Sequence, residues 1–102
     1  MNESNVFQGK PVGQMNYRGQ SVRYVANQLV VGLQRELAQD SDSRESVLST
    51  LPLGSVLKAD FDRLGIAIVD LPEGSNILEI ARQLEQLDAV AFAEPNLLDS
   101  LS

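Results

Sequence analysis

The chain has 102 residues, 43% of them hydrophobic and 22% charged, which is enough for one hydrophobic core and too little for two. It contains no Cys and no His, so disulfides, zinc–thiolate centres, imidazole metal sites and His-activated nucleophiles are excluded. Fourteen acids against eight bases give a net charge of −6, the wrong sign for a phosphate backbone, and nucleic acid is not an expected partner.

In chain order, residues 1–23 carry one acid against three bases, whereas residues 24–102 carry thirteen acids against five bases. The first segment is rich in Asn, Gln, Gly and Ser and has no apolar period. Residues 1–22 are therefore expected to be a flexible polar arm, in which Tyr17 and Val22 offer at most an edge-strand pairing. Tyr24 to Leu33 is β-branched and apolar, with Leu29, Val31 and Leu33 on one parity, which predicts a strand with one buried face. Asp42-x-x-Glu45 resembles a capping box ahead of Val47, Leu48 and Leu51 and predicts a short helix ended by Pro52 and Gly54. Ser55–Phe61 and Leu64–Val69 read as two strands of a hairpin joined at Asp62-Arg63.

Asn76-x-x-Glu79 is a second capping box, and Ile77, Ile80, Ala81, Leu84 and Leu87 form one stripe of an amphipathic helix. Val90–Ala93 is a short last strand expected to stop before Pro95, and residues 97–102 are a tail with three leucines. The order is βαββαβ, which predicts an α+β fold of the ferredoxin-like kind: a four-stranded antiparallel sheet with two helices on one face. In the last two strands, Ile66, Ile68, Val90 and Phe92 oppose Gly65, Ala67, Ala91 and Ala93. If the large residues meet the helices, the open face is smooth, with Val30, Gly32, Ala67, Ala91 and Ala93 on it, and suits either plain solvent exposure or a flat docking surface.

Other constellations carry less. Asp40-Ser41-Asp42 with Glu45 lacks the Gly and final Glu of a calcium loop, since Glu45 and Leu51 occupy those places. Asp60 and Asp62 flank a hairpin, where Asp serves turns, and no partner acid or base accompanies them. Gly9, Gly13 and Gly19 follow no strand and form no phosphate loop. No apolar run approaches the roughly 20 residues of a membrane span. The start, Met1-Asn2-Glu3-Ser4-Asn5, has an acid where a secretory signal carries bases, so the expectation for the chain as written is a cytoplasmic one.

Three stretches carry a family resemblance: Tyr24 to Leu33; Leu64 to Gly74, with Asp70-Leu71-Pro72-Glu73-Gly74; and Val90-Ala91-Phe92-Ala93-Glu94-Pro95-Asn96. Together they resemble subtilase propeptides, the prodomains and related inhibitors of subtilisin-like serine proteases. The resemblance implies the same ferredoxin-like fold and a domain over residues 23–96. It further implies docking of the open sheet face on two protease helices, with Glu94 and Asn96 capping those helices. The tail, Leu97, Leu98, Asp99, Ser100, Leu101 and Ser102, would run product-like through the active-site cleft, with Leu101 or Ser102 in the primary pocket.

Ala26 stands where Pro is usual in the family, and the tail has Leu and Ser where acids or bases are common. The expected function is therefore non-enzymatic: a protease inhibitor, monomeric when free and without a cofactor. The alternatives are a prodomain separated from its protease, acting as folding chaperone and temporary inhibitor and then extracellular, or a ferredoxin-like small-molecule-binding regulatory domain.

Overall fold

A computed structural model describes residues 6–7 and 9–99. They fall into two compact units, one formed by residues 27–95 and a smaller one formed by residues 6–7, 9–26 and 96–99. Its elements are β1 (Val6–Phe7), β2 (Lys10–Tyr17), β3 (Gln20–Leu33), α1 (Ser41–Thr50), β4 (Val56–Ala59), β5 (Ile66–Asp70), α2 (Ile77–Glu85) and β6 (Val90–Leu97).

In the larger unit β5 pairs antiparallel with β3, Leu29 facing Val69 and Gly32 facing Ile66, and antiparallel with β4 on its other side. β6 pairs with the remaining edge of β3. The Gln34 N–H donates to Ala89 O while Phe92 lies against Gly32, so this pairing is antiparallel too. The order β4-β5-β3-β6 with helices in both crossovers is the ferredoxin-like arrangement, as expected.

Both helices begin at a side-chain cap. Asn76 is the N-cap of α2, its side chain accepting from the Glu79 N–H at 3.2 Å. The Glu79 carboxylate pairs with Arg82 on the next turn. Ile77, Ile80, Ala81 and Leu84 are the buried stripe of α2. For α1 the cap is Asp40 rather than Asp42: Asp40 Oδ2 accepts from the Ser43 N–H at 3.1 Å and from the Ser43 hydroxyl at 2.6 Å. Asp42 instead lies in the first turn, where a carboxylate favours the positive end of the helix dipole.

Leu29, Val31, Val47, Ala67, Val69 and Leu84 are fully buried and form the centre of the core. Arg44 of α1 ties the helix to the neighbouring loops, donating from Nη2 to Ala38 O at 2.7 Å and to Asp62 O at 3.1 Å, with its guanidinium over the Phe61 ring.

The last strand does not stop at Pro95. A proline lacks only an N–H, and a strand paired along one edge leaves alternate N–H groups without a ladder partner, so β6 continues to Leu97 with Pro95 buried.

In the smaller unit, the polar arm expected over residues 1–22 is corrected for residues 10–22. β2 and β3 form an antiparallel hairpin in which Met15 faces Val22 and Tyr17 faces Gln20. Its two-residue turn, Arg18-Gly19, has φ of 52° and 82°, the left-handed pair of a type I′ turn. The Arg18 guanidinium lies over the Tyr17 ring. Gly13 is packed close beneath Tyr24: a Cβ there would lie 2.7 Å from that ring. Residues 1–5 of the expected arm, and Gln8, lie outside the described residues.

Candidate functional site

Alternation along a strand assigns each residue to a face, and burial identifies the face covered by helices. In the larger unit the covered face carries Leu29, Val31, Ala67, Val69 and Ala93, all at 2% exposure or less. The opposite face carries Val30, Ile66, Ile68 and Phe92, all half-buried.

The expected smooth docking face is thereby corrected. Val30 and Gly32 lie on the open face, but Ala67 and Ala93 lie beneath the helices, and the large Ile66, Ile68 and Phe92 face outward. Ala91, on the same parity as Ala93, is exposed at the start of β6. Val90, on the parity of Phe92, is buried at the start of β6.

The physical reason is close approach. A Cβ on Gly65, just ahead of β5, would lie 2.9 Å from the Cα of Ala38, so a small residue is needed where the chain after β3 approaches, and Ala67 and Val69 follow on the same parity. Gly32 is not bare either. The Phe92 ring occupies the space its side chain would fill, so Gly32 serves to seat an aromatic. The open face is consequently aliphatic and aromatic. At one end it is bounded by Asp70, whose Oδ1 accepts from Gln28 Nε2 at 2.9 Å.

Glu94 shares the parity of Phe92, and its half-buried side chain has no hydrogen-bond or salt-bridge partner among the described residues. Asn96, in the smaller unit, is also half-buried and is not without a partner. Both lie within β6 rather than beyond it.

The tail, within the smaller unit, is described to Asp99. Leu97 ends β6, the Leu98 N–H donates to Arg23 O at 2.9 Å, and Asp99 is gripped by Arg23. The Arg23 backbone N–H reaches Asp99 Oδ2 at 2.8 Å, Nη2 reaches Oδ1 at 2.7 Å, and Nε lies 3.2 Å from both oxygens. The side-chain hydrogen bond to Arg23, helped by its backbone N–H, holds the Asp99 carboxyl below the ordinary aspartate range; the same bond raises Arg23. Ser100, Leu101 and Ser102 of the expected cleft segment lie outside the described residues.

The acidic residues set aside in the sequence have structural roles. Asp62 Oδ1 accepts from the Leu64 and Ile66 N–H groups, both at 2.9 Å, and Asp60 Oδ1 from the Phe61 N–H at 2.7 Å. Among the described residues no group of three or more acids could hold a metal ion, and no helix is long and apolar enough to cross a membrane.

Residues 11–96 match the family described as the Fervidolysin N-terminal prodomain. The chain belongs to this family. Membership in this prodomain family agrees with the resemblance to subtilase propeptides carried by the three stretches. The prodomain match begins at residue 11, so it takes in the β2–β3 hairpin as well as the ferredoxin-like unit. No curated protein and no solved structure gives a significant match.

Sequence reasoning missed two features of the prodomain. One is the outward placement of Ile66, Ile68 and Phe92, for which Asp70, on the parity of the two isoleucines, was the available signal. The other is Arg23 as the partner of Asp99. No local pattern marks a pair separated by 76 positions.

Proposed function

We propose that the chain is a prodomain-type inhibitor and folding partner of a subtilisin-like serine protease. The observation that carries the reading is the prodomain match over residues 11–96, on a fold that presents Val30, Ile66, Ile68 and Phe92 outward from its sheet. Four half-buried apolar side chains on one sheet face suit burial against another protein's helices, because the residue contacts that exclude water there are already in register.

Glu94 supports the finer reading, since a half-buried carboxylate with no partner among the described residues is suited to the unpaired N–H groups at a helix N-terminus. Asn96 and the tail residues Leu97–Ser102 complete the proposed contact, with the tail entering the active-site cleft by strand addition. Membership in a prodomain family favours the prodomain role over a free-standing inhibitor.

The test is inhibition of a broad-specificity subtilisin-like protease by the chain and by Ile68→Asp. A charge placed on the open face should weaken inhibition at least about tenfold while the circular dichroism spectrum is unchanged. Equal inhibition by both chains overturns docking through this face.

A further inference from the structure

We propose that Arg23 is a latch that holds the tail against β3 and must release it before the tail enters a protease cleft. Asp99 is held by three donor groups of one residue, the backbone N–H and two guanidinium nitrogens, and the Leu98 N–H returns to the Arg23 carbonyl. This is a tighter arrangement than an ordinary surface ion pair, because the planar fork and the backbone bonds fix the carboxylate and the chain together. The salt bridge is nevertheless half exposed, so it can open without unfolding anything.

The inference rests on the proposed inhibitor role. A segment bound by strand addition uses its own backbone N–H and C=O groups on the partner, with alternate side chains in subsites. Leu98 and Asp99 are two of the residues assigned to that segment, and here the Leu98 N–H and the Asp99 carboxylate are already committed. Latch and cleft therefore compete for the same groups. Apparent affinity falls by the fraction of chains whose latch is open, and for an exposed pair of this kind that factor is about two- to fivefold. The consequence runs against intuition: removing a well-formed ion pair should strengthen inhibition.

The experiment compares the full chain with Arg23→Lys, Arg23→Ala and Arg23→Asp in two measurements. The first is amide hydrogen exchange of Leu98 in the free protein, with the Leu29 amide as the internal reference for the folded sheet. The second is the inhibition constant against a broad-specificity subtilisin-like protease. Leu98 exchange should quicken from Arg23→Lys through Arg23→Ala to Arg23→Asp while Leu29 is unchanged, and inhibition should tighten in the same order, by about two- to fivefold for Arg23→Ala.

Faster Leu98 exchange with unchanged or weaker inhibition overturns the latch and leaves the inhibitor role standing. Unchanged Leu98 exchange in Arg23→Ala also overturns it. Absence of inhibition by every chain overturns the inhibitor role and the latch with it.

Discussion

Exchanging the faces assigned to neighbouring residues of β5 inverts the expected cost of two substitutions, Ala67→Leu and Ile68→Ala. Ala67 has no exposed surface and faces Val31, itself fully buried, across the strand pair. Three added carbons have no room there, and overpacking of this kind costs about 1–3 kcal/mol. Ile68 faces Val30 on the open side and is half-buried, so truncation forfeits part of the roughly 1.5–3 kcal/mol that full burial of such a side chain provides, about 1 kcal/mol. With an unfolding entropy of about 2 cal/mol/K per residue, 1 kcal/mol corresponds to about 5 °C in Tm for a chain of 102 residues.

Thermal melts should therefore fall by about 5–15 °C for Ala67→Leu and by about 5 °C or less for Ile68→Ala, and urea titrations should shift in midpoint with unchanged slope. Were the large residues under the helices, Ile68→Ala would cost about 2–5 kcal/mol and Ala67→Leu almost nothing. That order of Tm values refutes the face assignment and, with it, the composition of the proposed docking surface.

Asn76→Ala removes the N-cap of α2 and should lower stability by about 1 kcal/mol in urea titration, and Asp42→Ala should lower it less than Asp40→Ala, since Asp40 holds both the Ser43 N–H and its hydroxyl. Gly32→Val should expel the Phe92 ring from its seat, changing the near-ultraviolet dichroism and weakening inhibition while the far-ultraviolet spectrum keeps its shape. Asp99 titrates below its unfolded value, so its attachment to Arg23 is present above the ordinary aspartate range and lost as pH falls through the lowered folded value. Leu98 amide protection, corrected for the intrinsic pH dependence of exchange, should be constant from pH 5 to pH 8, an interval spanning about three units above that range, and should weaken in acid.

In the larger unit, element type and order were legible because they depend on local rules. The stripe of α2 and its Asn76 cap, the β-branched run of β3, and the turn acids Asp60 and Asp62 each express a preference that operates over a few residues. Assigning the sheet faces required more than the neighbouring pairs Ile66/Ala67 and Phe92/Ala93. Size alone suggests that large residues go inward, yet where backbone packs against backbone, as at Gly65 and Ala38, small residues take the covered side. The longer series Gly65, Ala67, Val69, Leu71 against Ile66, Ile68, Asp70 carries the correct answer, because only the second contains a charge.

The hairpin of β2 and β3 was concealed by its polar composition, although Arg18-Gly19 between Tyr17 and Gln20 is a two-residue turn of the type that glycine permits. The Arg23–Asp99 clasp depends on where a distant strand returns, and nothing in either neighbourhood announces it.

The most direct measurement is the steady-state activity of a broad-specificity subtilisin-like protease titrated with the full chain. A prodomain-type inhibitor should reduce activity with a constant tighter than about 10 µM, corresponding to roughly 7 kcal/mol of binding free energy. Full protease activity at about 100 µM of intact, folded chain would contradict the account.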